Sequence, residues 1–463
     1  MKFFLFLLFF VFAIDELVLV ASNETMRLEL VHRHSPKMEN LLGERPRTRL
    51  EHIKYLYRRD IFRHRLISRR RRNTETTSSI AMPMHSGADY GTGEYFVHLK
   101  VGTPGQKFML VADTGSELTW MNCRYHCRRN CTGIHRGRLN NKRVFRADRS
   151  SSFETVPCLS EMCKVDLANL FSLTLCPTPL TPCAYDYRYM EGLAAMGFFA
   201  KETVSVGLTS GRKGKLKDVL IGCTESISGD QRGTKGADGV LGLGYGKHTF
   251  TSQAASDFGG KFSYCLVDHL SPKNISNYIV FGQNKIETCL LNTMHRTNLL
   301  LGGAFGSFYG LNIKGISIGG ALLRIPSATW NIELGGGTIL DSGSSLTYLA
   351  EPAYGPVTAT LSKSLSGFHR LPAEGGPFEF CFNSTGFNES SAPKLAIHFG
   401  DGAKFEPPVK SYIIDVAKQK KCLGFVSLSW PGNSIIGNIL QQNHLWEFDL
   451  VRRSLGFAPS SCT

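Results

Sequence analysis

The sequence has little that would form long helices or cross a membrane. After the apolar run from Phe3 to Ile14, no stretch is long and apolar enough to span a bilayer as a helix. Apolar residues at helical spacing are scarce, whereas glycine is abundant, with 47 among 463 residues. This balance favours a β-rich protein with many tight turns.

The first 80 residues differ from the rest. Residues 1–22 combine Lys2, the short apolar run and the small residues Ala21 and Ser22, a layout typical of a secretory signal peptide. Residues 23–80 are rich in Arg and His with scattered leucines, and they predict a prosegment outside the core. Leu50, Ile53, Leu56 and Tyr57 lie at helical spacing within it. We therefore expect a soluble, secreted protein, lumenal or extracellular, with no membrane partner.

Acidic residues are fewer than basic ones, with 38 Asp and Glu against 53 Lys and Arg, and the formal net charge is +15. Such a charge alone would suggest nucleic acid as a partner, but no base-reading motif or aromatic platform accompanies it. Of the 53 Lys and Arg residues, 16 lie in the first 80 positions, including the run Arg69 to Arg72. That run is either a processing site or a solvated linker. We expect no nucleic-acid partner.

Thirteen cysteines in a secreted protein predict a disulfide framework with at least one cysteine left over. Cys123, Cys127 and Cys131 have the close spacing of zinc ligands. A matching pair of Cys or His is missing, so we expect neither a metal nor another cofactor. The spacing does not determine which cysteines pair.

One short pattern occurs twice. Asp113-Thr114-Gly115-Ser116 and Asp341-Ser342-Gly343-Ser344 each follow an apolar run that predicts a buried strand. A degenerate pattern of this kind arises by chance at roughly one position in 20,000. Each copy is followed by an apolar-apolar-Gly unit, Val240-Leu241-Gly242 and Ile435-Ile436-Gly437. This order indicates an internal repeat, with one lobe over residues 81–280, another over 281–463 and a shared site between them.

Three further segments have a clear period. Tyr95, Val97, Leu99 and Val101 alternate with polar residues, which predicts a half-buried strand. Ala353, Val357, Leu361 and Leu365 follow Pro352 at a spacing of four and predict an amphipathic helix. Near the end, Trp446, Phe448 and Leu450 alternate with Glu447 and Asp449 as a final strand.

These residues resemble the pepsin-like aspartic proteases, and more closely their nepenthesin-type plant branch. The resemblance rests on Asp113 to Trp120, on Phe262-Ser-Tyr-Cys-Leu266, on Asp341 to Leu349, on Val156-Pro-Cys158 with Cys163, and on Leu30 to Pro36 in the prosegment. It extends over nearly the whole chain. It implies a bilobal, pepsin-like fold of two β-barrel-like lobes with the substrate cleft between them.

The resemblance also implies roles for the repeated residues. Two carboxyl groups within about 3 Å share one proton, so Asp113 and Asp341 would activate a water between them and hydrolyse a peptide bond at acid pH without a covalent intermediate. Gly115 and Gly343 let the backbone approach the carboxylates. Ser116 and Ser344 are expected to bond the outer carboxylate oxygens, and Thr114 and Ser342 to lock the two loops together.

The flap that covers such a cleft departs from the plant pattern. Tyr185-Asp-Tyr-Arg-Tyr189-Met-Glu-Gly192 stands where that branch has Tyr-Gly-Asp-Gly-Ser. Tyr189 aligns with the flap tyrosine, whose hydroxyl pairs with Trp120 in the expected arrangement. Met190 and Glu191 replace the usual Gly and Asp, which predicts a more apolar and less flexible flap.

Two functions follow as alternatives. The first is an aspartic endopeptidase made as a zymogen, monomeric, acting on polypeptides and inhibited by its own cationic prosegment. The second is a catalytically weak or inactive binding or inhibitor protein on the same scaffold, which the altered flap favours. We further predict Cys289 as the odd thiol and glycosylation at the sequons of Asn130, Asn274, Asn383 and Asn388.

Overall fold

The structure is a computed structural model. It describes residues 25–32, 95–125, 143–170, 172, 176, 178, 181–188, 194–208, 212–228, 237–267, 277–282, 292–373 and 377–462. The predicted signal peptide, the predicted prosegment helix, Arg69 to Arg72, Tyr189, Cys289, Asn130 and Asn274 all lie outside these ranges. Among the described residues, no helix has the length and apolar character needed to span a membrane.

The fold is all-β. The strands up to residue 281 are β1 Met26–His32, β2 Tyr95–Val101, β3 Gln106–Asp113, β4 Trp120–Arg124, β5 Phe145–Arg146, β6 Glu154–Thr155, β7 Ala184–Arg188, β8 Ala194–Gly207, β9 Lys213–Ser228, β10 Gly239–Gly242, β11 Lys261–Cys265 and β12 Asn277–Phe281.

The strands from residue 295 onwards are β13 His295–Leu300, β14 Tyr309–Leu311, β15 Ile313–Ile318, β16 Ala321–Leu322, β17 Thr338–Leu340, β18 Thr347–Ala350, β19 Arg370–Leu371, β20 Cys381–Asn383, β21 Leu395–Phe399, β22 Lys404–Phe405, β23 Ile413–Ala417, β24 Lys420–Leu423, β25 Phe425–Leu428, β26 Ser434–Ile436, β27 His444–Asp449 and β28 Ser454–Pro459.

Helices are short and few in the part of the chain that the structure describes. The α-helices are α1 Phe250–Phe258, α2 Glu351–Ser364, α3 Val409–Tyr412 and α4 Asn438–Gln441. Single helical turns cover Ala147–Arg149, Met162–Asp166, Ala168–Leu170, Gly303–Phe305, Ser327–Trp330 and Glu389–Ser391. The predicted helix after Pro352 is confirmed as α2, which buries Ala353, Val357 and Leu361.

The two lobes repeat one strand arrangement. In the first, β10 pairs in parallel with β3 and antiparallel with β4, which in turn pairs in parallel with β9. In the second, β26 pairs in parallel with β17 and antiparallel with β18, which pairs in parallel with β25. Both copies of the apolar-apolar-Gly unit therefore lie beside the strand that leads to an aspartate. This topology agrees with the predicted internal repeat.

An antiparallel array of six of the described strands joins the lobes. Its strand order is β1-β12-β11-β27-β28-β13, so that three strands come from each half of the chain. The central pair is β11 and β27, where Phe262 stacks on Phe448 with ring centroids 4.5 Å apart. Cys265 and Cys462 form a disulfide that ties the C-terminal end of the chain to β11. The packing of the lobes thus depends on strands distant in sequence.

The prediction that residues 23–80 lie outside the core is wrong for residues 26–32. This segment is strand β1, which pairs with β12 and, at its end, with β2. Met26, Leu28 and Leu30 are buried, while the intervening Arg27 and Glu29 are exposed. The sequence of this segment has the period of two that is typical of a strand. The surrounding residues are rich in Arg, however, so the segment was interpreted as part of a solvated prosegment. Arg27 also stacks over the Tyr278 ring of β12, at 4.3 Å from the ring centroid.

The strand predicted around Trp446 and Phe448 is present as β27, but it is not the final strand, since β28 follows it, and it has no solvent-facing side. Glu447 and Asp449 are 1% and 2% exposed. Arg296 lies 2.6 Å from the Glu447 carboxylate, and Lys261 lies 3.4 Å from both carboxylates. Buried carboxylates need such partners because desolvation of an unpaired charge is costly.

Candidate active site

The two aspartates stand at the ends of buried strands. Asp113 is the last residue of β3 and Asp341 follows β17, and both side chains are fully buried. The backbone N–H groups of Gly115 and Gly343 each donate to the Oδ1 of their aspartate at 2.9 Å. The same two contacts therefore orient each carboxyl group in its own loop.

The serines of the repeated pattern bond the other carboxylate oxygen. Ser116 Oγ donates to Asp113 Oδ2 at 2.5 Å, and Ser344 Oγ donates to Asp341 Oδ2 at 2.7 Å. Each carboxylate thus has a backbone donor on one oxygen and a hydroxyl donor on the other. Buried carboxylates are stabilised by such donors, which also fix the rotamer of the side chain.

The two loops are joined directly. Thr114 N–H donates to Ser342 Oγ at 3.2 Å, and Ser342 N–H donates to Thr114 Oγ1 at 2.9 Å. The Thr114 hydroxyl also bonds Ser342 Oγ at 3.2 Å. Since these residues directly follow the aspartates, the bonds bring together two loops that are 228 positions apart in sequence.

Each loop rests on its apolar-apolar-Gly unit. The N–H groups of Gly242 and Gly437 donate to Thr119 Oγ1 and Thr347 Oγ1, at 3.1 and 3.3 Å. A Cβ at Gly242 would lie 2.5 Å from the Glu117 carbonyl oxygen, and one at Gly437 would lie 2.1 Å from that of Leu346. Only glycine allows this close approach.

Several residues at the site were missed from the sequence. Asn438 donates from Nδ2 to the Ser342 carbonyl at 3.0 Å, and its N–H donates to the Ser344 carbonyl at 2.7 Å. Gln441, in the same helix α4, donates to the Asp341 carbonyl at 3.2 Å. The available signal was their closeness to the repeated unit Ile435-Ile436-Gly437, which Asn438 follows directly and Gln441 follows at the fourth position.

The flap region is described in part. Strands β7 and β8 form the hairpin that leads towards Tyr189, and Tyr185 of β7 bonds Thr224 Oγ1 at 2.7 Å. Burial raises the pKa of Tyr185 well above its ordinary value, so its hydroxyl stays protonated. Trp120 is 3% exposed, and its Nε1 forms no hydrogen bond with any residue that the structure describes. Its predicted pairing with Tyr189 stays a prediction.

The ten cysteines in the described ranges form five disulfides, which pair Cys123 with Cys223, Cys158 with Cys176, Cys163 with Cys183, Cys265 with Cys462 and Cys381 with Cys422. Because Cys123 is disulfide-bonded, the three-cysteine zinc alternative loses one of its ligands. Cys163 and Cys183 connect the turn Met162–Asp166 of the cysteine-rich insert to the residue before β7.

The chain matches two family models, described as xylanase inhibitor N-terminal over residues 95–283 and xylanase inhibitor C-terminal over residues 308–459. It is 35% identical over 385 residues to aspartyl protease family protein 2 of Arabidopsis thaliana, covering 81% of this chain and 73% of that protein. The chain belongs to the pepsin-like aspartic proteases.

Within this family it is similar to the nepenthesin-type plant branch. It is 29% identical over 453 residues to aspartic proteinase nepenthesin-1 of Nepenthes gracilis, covering 95% of this chain and 94% of that protein. The crystal structure of basic 7S globulin from soybean has a similar fold, with a TM-score of 0.61 and 20% identity over 81% of this chain and 94% of that chain. This aspartic-protease homologue therefore has the bilobal fold that the resemblance implied.

Proposed function

We propose that the protein is an aspartic endopeptidase that hydrolyses polypeptide bonds at acid pH. Family membership supports a peptide hydrolase. The observation that carries the proposal is the reciprocal bonding of Thr114 and Ser342, because it joins the loops of two buried aspartates with matching donors. A shared site of this kind suits a reaction that needs a base and an acid together.

In the proposed reaction, one carboxylate takes a proton from a water molecule while the water oxygen attacks the peptide carbonyl carbon. The other carboxyl group gives its proton to the carbonyl oxygen, which produces a neutral tetrahedral diol. Collapse of the diol breaks the C–N bond: the leaving nitrogen takes a proton from one carboxyl group while a diol hydroxyl gives its proton to the other carboxylate, which yields a carboxylic acid and an amine and restores the dyad. Gly115, Gly343, Ser116 and Ser344 keep both carboxyl groups oriented throughout.

The test uses the full-length chain, acidified and incubated with unfolded globin. We expect cleavage by the wild-type protein and none by Asp113→Asn or Asp341→Asn. Asp415→Asn is the matched control, since Asp415 is a partly exposed residue that pairs with Lys421. Activity that survives both active-site substitutions would overturn the proposed mechanism.

A binding or inhibitor protein on this scaffold is the second candidate. The descriptions of the matching family models, xylanase inhibitor N-terminal and C-terminal, favour it. The retention of both aspartates, with their Gly and Ser donors, favours the endopeptidase. Absence of globin cleavage by the wild-type protein, together with inhibition of an added xylanase, would select the second candidate.

We further propose that the protein is made as a secreted or vacuolar zymogen, glycosylated at its sequons. Asn388 is exposed, and Asn383 is partly exposed. Their Oδ1 atoms accept from Ser390 N–H and Thr385 N–H, so these bonds use the oxygen and not the amide nitrogen that would carry a glycan. Loss of mass after glycosidase treatment of the secreted protein tests this proposal.

A further inference from the structure

Two buried tyrosines reach across the lobe junction. Tyr264 lies on β11 in the N-terminal half, and its hydroxyl donates to Gln441 Oε1 at 2.5 Å. Gln441 in turn donates from Nε2 to the carbonyl oxygens of Asp341 and Ile436, at 3.2 and 2.8 Å. Tyr264 and Gln441 are 2% and 0% exposed. A side chain of the first half thereby holds the aspartate loop of the second half.

The second tyrosine makes the opposite connection. Tyr309 lies on β14 in the C-terminal half, where it pairs with Leu340 next to Asp341. Its hydroxyl donates to the Leu243 carbonyl at 2.6 Å, and Leu243 N–H donates to the Asp113 carbonyl at 2.9 Å. The aspartate loop of the first half is therefore held from the second half.

Both tyrosines pack against one ring. Phe448 of β27 lies 5.4 Å from the Tyr264 ring and 4.7 Å from the Tyr309 ring, measured between centroids. Burial raises the pKa of both tyrosines, and the charge of Asp341 raises that of Tyr264 further. Both hydroxyls therefore stay protonated and act as donors. Removal of either would leave a buried acceptor without its bond, which is unfavourable in an apolar interior.

We propose that Tyr264 and Tyr309 are positioning residues that set the distance between the two catalytic aspartates. This inference rests on the proposed function. The crossed bonds connect each loop to the other lobe independently of Thr114 and Ser342. Since the interaction between two carboxyl groups depends steeply on their separation, this distance determines how far apart their two protonation steps lie.

The test compares Tyr264→Phe, Tyr309→Phe and the double variant with Tyr412→Phe. Tyr412 is a matched control, because its buried ring also places a hydroxyl on a backbone carbonyl, that of Pro393 at 2.9 Å, outside the junction. We expect each junction variant to lose about 10- to 100-fold in kcat, with KM changed less than twofold. We also expect the pH profile of kcat/KM to become narrower.

The narrower pH profile of kcat/KM distinguishes a positioning role of the tyrosines from a general effect on stability. Aspartates that move apart interact less, so the acidic and basic limbs of the profile approach each other. We expect Tyr412→Phe to keep the wild-type profile and the double variant to lose less than the product of the single losses. Unchanged profiles in both single variants, or an equal loss in Tyr412→Phe, would overturn the proposal.

Two further measurements cover a variant that fails to fold and a test that does not depend on activity. If Tyr264→Phe does not fold, Gln441→Met breaks the same connection from the other side, and we expect the same narrowing. Crystal structures of the wild-type protein and Tyr309→Phe provide a readout without activity. A larger separation between the Asp113 and Asp341 carboxyl groups supports the inference, and an unchanged separation refutes it. A wild-type protein that cleaves no globin would instead refute the proposed endopeptidase.

Discussion

Thr114 and Ser342 exchange backbone-to-hydroxyl hydrogen bonds across the lobe junction, each residue donating to and accepting from the other. The substitution Thr114→Val keeps the shape of the side chain but removes Oγ1. The buried N–H of Ser342 then loses its acceptor, so we expect a loss of about 1–3 kcal/mol in unfolding free energy. We also expect at least a tenfold lower kcat on unfolded globin.

Thr358→Val is the control for that change. Thr358 is a threonine of helix α2 whose hydroxyl bonds the Tyr354 carbonyl of the same helix, away from both aspartates. Its kcat should equal that of the wild-type protein. Equal kcat values for Thr114→Val and the wild-type protein would show that the connection between the loops has no catalytic effect.

Gly437→Ala should prevent stable folding. The added Cβ would lie 2.1 Å from the Leu346 carbonyl oxygen, where the Ile435-Ile436-Gly437 unit packs against the backbone that follows the second aspartate loop. We expect no soluble protein, or a melting temperature lowered by more than 10 °C. Gly355→Ala in α2 is the comparison, because its Cβ would meet no atom within 4 Å. The unfolding free energy of Gly355→Ala should increase by about 0.5–1 kcal/mol. A similar loss of stability in both variants would contradict the steric explanation.

His444 should make the protein less stable at acid pH. Its ring is 3% exposed and lies between the Phe405 and Trp446 rings, and burial lowers its pKa to about 4. As the pH falls, the imidazole of the unfolded chain therefore binds a proton near pH 6.5, whereas the folded chain binds it only at lower pH. Stability is lost as the pH falls from about 6.5 to 4, by up to about 3 kcal/mol from this residue.

His444→Phe removes this titration and keeps the aromatic contacts. We expect urea midpoints at pH 7 and pH 4 to lie closer together in the variant than in the wild-type protein. His369→Gln changes an exposed histidine and should behave as the wild-type protein does. If His444→Phe shows the same acid destabilisation as the wild-type protein, the assignment to His444 fails.

The disulfide between Cys163 and Cys183 anchors the base of the flap. Cys183 directly precedes β7, and its carbonyl accepts from Phe199 N–H of β8 at 2.8 Å. Replacing both cysteines with alanine should reduce the unfolding free energy by about 3 kcal/mol and raise KM more than it lowers kcat. The alanine pair at Cys381 and Cys422, in the other lobe, should lower stability with KM unchanged. A raised KM in both pairs would argue against a specific effect on the flap.

Much of the fold is predictable because local patterns determine local structure. Alternation at Tyr95 to Val101 and the apolar run before Asp113 give β2 and β3, and the duplicated Asp-Thr/Ser-Gly-Ser pattern predicts two equivalent loops. Strand β1 was missed because its short alternation lies within an Arg-rich segment. The sequence also does not reveal that Glu447 is buried, since its partner Lys261 is 186 positions away.

At the candidate active site, too, the sequence predicts local contacts but not contacts between distant residues. The residues that touch the carboxylates follow them within three positions and are readable as a motif. Tyr264, Tyr309 and Gln441 reach the loops only because the sheet joining the lobes brings distant strands together. A single sequence contains no period or spacing that relates Tyr309 to Leu243.

The position of β1 at the edge of that sheet affects how the protein would be recovered after processing. A cut anywhere in the chain between residues 32 and 95 would leave Met26–His32 attached by its strand pairing with β12, its buried side chains and the Arg27 contact, but by no peptide bond. Purification under native conditions would then yield a cleaved molecule of two polypeptides. Denaturation would release the N-terminal fragment, and mass spectrometry would detect it.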